Sequence, residues 1–350
     1  MTRLDWIVLR RLSARVGLTL LIFFGLMALV ESLDTWKFKT LSSIGGPLLA
    51  LEAIVSGASR NVVGTLPVTV LIGTIIGVLD LQARREMTII KASGISIWRV
   101  LRYPLVAAVL LGLVASFAAD TLAIEINRSL PTRVGKTSGE LWLEQRGKDG
   151  AYILTAAHSQ QDGTVLSDVT VFETGSDGRE RIEAASATLV PGAWRLSGVS
   201  RFQLDQPAEF LADFDLSTTT TAGDMQVRLT DVRDLTFAEL LEAVGKNVAD
   251  PVLRASAVTS LLRLLATPAL LVGSVLIGFA FTSGYRRTNK YGGAVLYGIV
   301  LGFVVYVVTE LSNRSGFAGV LDPTFAAAGP AFVAIVIGLT VLLYREDGRA

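Results

Sequence analysis

Residues able to do chemistry are sparse in this chain, and their densest group lies in a short charged segment between two long apolar stretches. The segment reads LQARREMTIIKASGIS, from Leu81 to Ser96. Its one acid and three bases are Arg84, Arg85, Glu86 and Lys91. The apolar residues Ala83, Met87 and Ile90 recur at helical spacing, and Gly94 stands where a helix is expected to end. This spacing predicts a short amphipathic helix over residues 83–94. It either lies against lipid headgroups or docks on a partner protein.

The sequence lacks the residue patterns of catalytic and metal centres. It contains no cysteine and one histidine, His158, which excludes thiolate ligands, a cysteine nucleophile and histidine-rich metal sites. Its apolar stretches contain no HExxH motif, and Gly135-Lys136-Thr137 is not a P-loop because Leu130 replaces the required glycine. We therefore expect a chain that is not an enzyme and holds no cofactor or metal. Energy for any work must come from a partner.

The composition is that of a membrane protein. Of the 350 residues, 51% are hydrophobic, and the net charge is only +1, which argues against a nucleic-acid partner. Six stretches are long and apolar enough to cross a membrane as helices. They lie between Arg15 and Glu31, Arg60 and Asp80, Arg102 and Asp120, Arg263 and Arg286, Lys290 and Glu310, and Asp322 and Arg345. None contains an internal charge, which disfavours an ion-coupled transporter.

Two further apolar features need separate interpretation. The first stretch resembles a signal peptide, but no small-x-small cleavage site follows it, so we predict a membrane span. The segment Leu48–Val55 is too short to cross and contains Glu52, which favours a separate interfacial helix.

Basic residues in the short loops predict the orientation. Fourteen lysines and arginines lie on the side of the N-terminus and four on the other side. Because cytoplasmic loops carry the excess of such residues, both termini and the charged segment are expected in the cytoplasm of a bacterial inner-membrane protein.

A region of about 130 residues between the third and fourth spans differs from them in sequence pattern. Its apolar and polar residues alternate with the period of two that is typical of β-strands. Strands are predicted at Tyr152–Ala156, Val165–Glu173, Arg181–Leu189, Trp194–Leu204 and Phe210–Leu216. The pattern indicates a periplasmic antiparallel β domain, either a twisted sheet or an open barrel-like sandwich, whose edges are free to accept another strand. Thr236–Val244 forms a helical return to the membrane. Trp142, Tyr152 and Trp194 either line a lipid channel or fill the core of this domain.

The predicted organisation is therefore an α-helical integral membrane protein with six transmembrane helices and an inserted β domain. The N-terminal membrane half covers 1–124, the β domain with its helical return covers 125–250, and the C-terminal membrane half covers 251–350.

The stretch Leu66–Ser96 resembles the signature of the LptF/LptG family of lipopolysaccharide-export permeases. In that family a second span opened by proline, here Pro67, runs into a coupling helix that bears a glutamate and ends in Ala-Ser-Gly. The resemblance covers nearly the whole chain. Its other matching residues are Asp34, Lys37 and Lys39 after the first span, Gly298 to Glu310, Gly316, Pro323 and Pro330.

The resemblance implies a fold and a set of partners. The β domain would be jelly-roll-like, and the chain would pair with a related LptF-like permease as a heterodimer. A cytoplasmic LptB-like ATPase dimer would bind ATP and Mg, and an LptC/LptA-like strand would extend the periplasmic domain. The complex would extract lipopolysaccharide from the outer leaflet of the inner membrane.

The resemblance also assigns roles to the charged segment. Glu86 would face an arginine of the ATPase, while Met87, Ile89 and Ile90 would fill its groove. The remaining residues of this coupling element are Arg84, Arg85, Ser93 and Gly94.

Lipopolysaccharide carries phosphates and acyl chains, so its site should combine cations with apolar side chains. By resemblance, Lys37 and Lys39 would contact the lipid and Asp34 would lie at the same site, although Lys37 is also placed to pair with Asp34. Further candidate cations are Arg128, Arg133 and Lys136. Candidate acyl-chain contacts are Phe24, Met27, Phe303 and Tyr306, for which ordinary helix packing is the alternative.

Small-residue motifs at Gly73/Gly77 and Gly298/Gly302 allow close helix approach, either within the chain or across a heterodimer. Within the family, the Asp34–Lys39 extension, the short tail after Tyr344 and the Phe303-Val-Val-Tyr306 run look closer to LptG than to LptF. Phe38 departs from the pattern because it separates two lysines that are often adjacent. Competing interpretations are an ABC permease for another lipid or lipoprotein, and a membrane scaffold protein.

Overall fold

The structure is a computed structural model that describes most of the chain. The described residues are 3–133, 141–147, 150–160, 163–173, 180–203, 207–229, 232, 235–245, 250–282 and 291–346. They divide into two compact units, one formed by residues 1–130 with 259–350 and the other by residues 131–258.

Long helices dominate the first unit. Its elements are α1 (Arg3–Ser32), α2 (Thr35–Ala83), α3 (Glu86–Ala92), α4 (Ile97–Leu113), a π-helical turn (Val114–Ala119), α5 (Asp120–Arg133), α8 (Pro251–Thr282), α9 (Tyr291–Phe317) and α10 (Pro323–Glu346), with α5 and α8 running on into the second unit. Among the described residues, five segments are long and apolar enough to cross a membrane: Asp5–Ser32, Gly45–Ala83, Ile97–Ile126, Pro251–Thr282 and Pro323–Tyr344. The remaining predicted span coincides with α9, and a sixth crossing stays a prediction.

The separate interfacial helix predicted at Leu48–Val55 is wrong. Gly46, with a φ of 78°, interrupts α2, and Pro47 then begins a helix that runs without a break to Ala83. Proline suits the first turn of a helix because its missing N–H would have no partner there. The apolar segment therefore lengthens the second candidate span. Pro67, expected to open that span, lies inside it.

Glycines bring α1 and α2 into close contact. A Cβ atom added at Gly73 would lie 2.6 Å from Val16 Cα, and one added at Gly77 would lie 2.6 Å from Leu12 Cδ1. Small residues allow such approach where no side chain separates two backbones. The Gly73/Gly77 motif therefore serves packing within the chain. Gly302 likewise packs against Val68 of α2, whereas the surroundings of Gly298 lie outside the described residues.

The second unit contains one antiparallel sheet whose strands pair in chain order. Its strands are β1 (Leu141–Arg146), β2 (Ala151–Gln160), β3 (Val165–Glu173), β4 (Glu180–Val190), β5 (Ala193–Gln203) and β6 (Glu209–Ser217). Five correspond to the predicted strands, and β1 was missed. The short helices α6 (Ala222–Leu229) and α7 (Phe237–Gly245) follow, and α7 is the predicted helical return.

The jelly-roll-like form expected for the β domain stays a prediction. The described strands form one antiparallel sheet. Here consecutive strands are joined by short links, so each strand pairs with the next and a six-stranded meander results.

A line of distorted residues crosses this sheet. The Cα pairing between neighbouring strands omits one residue on each of five strands: Ala157, Asp168, Ala185, Gly198 and Ala212. Two of these have left-handed backbones, Asp168 with a φ of 52° and Gly198 with a φ of 67°. Because left-handed residues depart from the extended backbone of a strand, β3 and β5 are irregular at these two positions.

Candidate coupling site

The charged segment folds as the short helix α3, bounded by two residues with left-handed backbones. Arg85 has a φ of 59° and separates α3 from Ala83, the last residue of α2, while Gly94 has a φ of 74°. The Ser93 amide donates to the Ile89 carbonyl at 3.0 Å, which closes the C-terminal turn. The helix is therefore shorter than the predicted 83–94, because Arg85 turns the chain before α3 begins.

Two apolar residues of α3 fix the helix to this chain's own core. Met87 and Ile90 are 3% and 5% exposed, and they belong to a cluster of buried residues that also includes residues of α1, α2, α4, α8 and α10. These neighbours include Val8 and Leu12 of α1, Leu81 of α2, and Ile97, Val100 and Leu101 of α4. Their burial fits a role in seating α3 and does not fit insertion into a partner's groove.

The opposite face of α3 is open. Ile89 is 66% exposed, and Arg84, Arg85 and Thr88 beside it are exposed as well. An exposed isoleucine flanked by arginines is the part of the predicted coupling element that remains accessible to another protein.

Ion pairs tie α1 to the three elements around it. Arg11 Nη1 lies 2.7 Å from Glu86 Oε1 on α3, and Arg15 Nη2 lies 3.2 Å from Asp80 Oδ1 near the end of α2. Asp5 Oδ2, which is buried, accepts from Arg102 Nη2 on α4 at 2.9 Å. Arg84 Nε lies 3.6 Å from Asp80 Oδ1. The first three pairs could not be predicted from the sequence because their partners are far apart along the chain, whereas Asp80 and Arg84 have the local spacing of four residues.

A groove of about 740 Å³ opens between α1, the end of α2 and α3. Its charged lining residues are Arg10, Arg11, Arg15, Asp80, Arg84 and Glu86. Four arginines face two carboxylates, so the groove is positive on balance, and exposed Trp6 lies at its border. An aromatic side chain beside arginines is typical of a membrane–water boundary.

The structure describes only part of the predicted lipid-binding residues. Asp34, between α1 and α2, is exposed, and so are Phe38 and Lys39 in the first turns of α2. The predicted residues that fall outside the described side chains are Lys37, Arg128, Arg133 and Lys136. A lysine site for lipid therefore stays a prediction.

The predicted acyl-chain contacts lie on two helices. Phe24 and Met27 are half-buried on α1, whereas Phe303 and Tyr306 are exposed on one face of α9. The exposed pair forms part of an apolar surface that suits either lipid or another membrane helix.

The aromatic residues of the β unit serve its core. Trp194 Nε1 donates to Gln145 Oε1 at 2.8 Å, and Tyr152 Oη donates to the same oxygen at 3.0 Å. Thr218 Oγ1 adds a third donor at 3.0 Å. Tyr152 and Trp194 are buried and Trp142 is 60% exposed, so the core alternative is confirmed for the first two. Burial raises the pKa of Tyr152 to about 12, against the smaller lowering effect of the Thr218 hydroxyl.

Several apolar helices of membrane-spanning length, interrupted by an inserted β sheet, define a multi-pass membrane protein. The sequence model of one family, described as lipopolysaccharide export system permease LptF/LptG, matches residues 6–345. The chain therefore belongs to the LptF/LptG family, whose members are inner-membrane transport permeases of an ABC system and not enzymes. A search of curated proteins gives no match.

Proposed function

We propose that this chain is the LptG-type permease subunit that extracts lipopolysaccharide from the outer leaflet of the inner membrane and passes it towards a periplasmic bridge. ATP hydrolysis in a partner ATPase drives the process, and this chain converts it into movement of membrane helices. The observation that carries the proposal is the seating of α3. Its Met87 and Ile90 are buried against α1, α2 and α4, so a displacement of α3 must displace those helices.

The ATPase contact in this proposal is the open face of α3. Ile89 enters an apolar depression of the ATPase, while Arg84, Arg85 and the Ser93-Gly94 end of the element border it. Glu86 pairs with Arg11 of α1, and its side chain is 29% exposed.

The other partners meet surfaces that are exposed in the described residues. A related LptF-like chain packs on exposed apolar residues of α1 and α9, which include Leu21 and Leu296. An LptC/LptA-like strand adds to an edge of the sheet at β1 or β6, since edge strands offer free hydrogen-bonding groups.

Lipopolysaccharide enters beside the outer end of α1 in this proposal. Lys37 and Lys39 bind its phosphates, with support from Arg128, Arg133 and Lys136. The acyl chains contact Phe24 and Met27 on α1 and Phe303 and Tyr306 on α9. Phosphate recognition by lysine is mainly electrostatic, so charge at these positions matters more than the shape of the side chain.

The test uses the permease expressed with its ATPase and solubilised as a complex. Ile89→Asp should abolish co-purification of the ATPase, because it places a charge in an apolar contact. Val320→Asp is the matched control, since Val320 is a strongly exposed apolar residue between α9 and α10 and should change nothing. Unchanged association of Ile89→Asp would indicate a scaffold.

Lipid identity decides between this function and transport of another lipid. A photo-reactive amino acid at position 39 should capture lipopolysaccharide, identified by mass spectrometry, and ATP should change the yield. Capture of phospholipid alone, with a yield that ATP leaves unchanged, would contradict the proposal.

A further inference from the structure

We propose that Arg11 is a positioning residue that ties α3 to the first membrane helix, α1. A movement of α3 driven by the ATPase is then transmitted directly to α1. The inference rests on the proposed function and deepens it. It names α1 as the element that moves with α3, through a contact that sequence spacing does not reveal.

The contact is a close ion pair that leaves part of the arginine without access to water. Arg11 Nη1 and Glu86 Oε1 are 2.7 Å apart, and the two side chains are 31% and 29% exposed. Nη1 itself is buried and makes no aligned hydrogen bond within the part of the chain that the structure describes. A buried guanidinium nitrogen needs a compensating charge close by, and Glu86 supplies it.

Apolar contacts on the same face of α1 reinforce the pair. Val8 and Leu12 lie one turn apart on either side of Arg11 and belong to the cluster that buries Met87 and Ile90. Residues spaced by three and four positions share one face of a helix. One turn further on, Arg15 pairs with Asp80, just before α3 begins. This face of α1 is therefore held by α3 and by the end of α2 together.

The length of α1 gives the pair a distant effect. α1 continues from Arg11 to Ser32, which is about 32 Å at the rise of an α-helix and comparable with the hydrocarbon core of a membrane. Asp34 and Lys39, proposed above to lie at the lipid site, follow directly. Because a packed helix moves as a body, movement of Glu86 at one end reaches the lipid lysines at the other.

The first test measures the pair in the full-length permease purified without an ATPase. Amide hydrogen exchange in α3 should become faster in Arg11→Glu and in Glu86→Arg, because each places like charges together. It should slow again in the double variant Arg11→Glu/Glu86→Arg, which restores attraction. Arg99→Glu, an exposed reversal on α4, is the control and should leave α3 exchange unchanged. Exchange that stays fast in the double variant would overturn the inference.

The second test measures coupling in the complex with the ATPase. Arg11→Gln leaves Glu86 and the open face of α3 intact, so the ATPase should co-purify and hydrolyse ATP. Lipid released per ATP hydrolysed should fall several-fold. Release per ATP equal to that of the wild type would overturn the inference.

The two proposals fail in different ways. Association of the ATPase with Ile89→Asp tests the proposed function. The amount of lipid released per ATP hydrolysed by Arg11→Gln, with the ATPase still associated, tests the inference about Arg11. Exchange in the isolated permease decides on the ion pair whatever the ATPase assays give.

Discussion

The side-chain oxygen of Gln145 joins several separate parts of the β unit. It accepts hydrogen bonds from Tyr152 on β2, Trp194 on β5 and Thr218 after β6, while its amide nitrogen lies 3.8 Å from Met225 Sδ on α6. Every one of these side chains is buried. A buried network of this kind fixes one arrangement of the strands, because each donor loses its partner if a strand shifts.

Replacing Gln145 should therefore destabilise the β unit strongly. Gln145→Met keeps the approximate volume but leaves three buried donors without an acceptor. Since one unsatisfied buried group costs about 1–3 kcal/mol, we expect a loss of at least about 3 kcal/mol. Denaturant unfolding of the full chain measures it, followed by tryptophan fluorescence in a background that keeps Trp194 as the only one of the five tryptophans. Gln160→Met, at an exposed site on β2, should change stability by less than about 0.5 kcal/mol.

Tyr152 should make the β unit sensitive to alkaline pH. Burial raises its pKa from 10.0 to about 12, so the folded state favours the neutral phenol more than the unfolded state does. This stabilising contribution is complete below pH 10.0 and is lost as the pH rises towards about 12. The loss should amount to roughly 2–3 kcal/mol.

The measurement compares unfolding midpoints of the wild type and Tyr152→Phe across that alkaline range. The variant should lose less stability with rising pH, because its ring has no proton to release. Tyr344→Phe, which alters an exposed ring on α10, should behave like the wild type. Parallel pH profiles for wild type and Tyr152→Phe would contradict the expectation.

At the scale of elements, helical spacing identified the buried face of α3 but not what buries it. Ala83, Met87 and Ile90 share the predicted face, and two of them do lie in a core. That core belongs to this chain, and its members on α1 and α8 are remote in sequence from α3. Local periodicity reports which side of a helix is apolar and contains no information about the neighbour that covers it.

Alanine substitution of Met87 and of Ile89 should distinguish the buried face of α3 from its exposed face. Met87→Ala removes a buried side chain and should lower the stability of the membrane unit by about 2–4 kcal/mol. Ile89→Ala, on the exposed face, should leave stability within about 0.5 kcal/mol. Thermal unfolding in detergent compares them. Equal effects of both substitutions would mean that Met87 does not seat α3.

The missed strand β1 has a physical explanation of the same kind. Its inward positions are Leu143 and Gln145, both buried, so a polar residue interrupts the apolar alternation that reveals a strand. Gln145 is suitable inside because its partners supply hydrogen bonds, and those partners lie on other strands. By contrast, β3 was predicted from Val165 to Glu173 as observed, because its run Val169 to Phe172 consists of β-branched and aromatic residues.

At the scale of the whole molecule, hydropathy was enough to find the long helices, because a span must satisfy its own backbone hydrogen bonds. It did not find where they begin and end. The third predicted span was bounded by Asp120, yet the helix passes through a π-helical turn at Val114–Ala119 and continues to Arg133. Asp120 is buried rather than placed at a water boundary, so its charge did not mark the end of the helix.

Membrane orientation is testable because the chain has no cysteine of its own. In Ile89→Cys, a membrane-impermeant thiol reagent should label the protein only from the cytoplasmic side. In Val320→Cys it should label only from the periplasmic side, since the α9–α10 connection lies opposite the charged segment in the predicted topology. Both positions are strongly exposed, so reactivity reports sidedness rather than burial. Labelling of both from one side would refute the topology.

The glycine contacts between α1 and α2 restrict where a fatty acid can pass through the bundle. At Gly73 and Gly77 the two helices touch without leaving room for even one added methyl group. A hydrocarbon chain is at least as wide as a methyl group, so it cannot pass between α1 and α2 at these two glycines. In the proposed transport, a lipid must therefore cross the helix bundle at a place other than this contact.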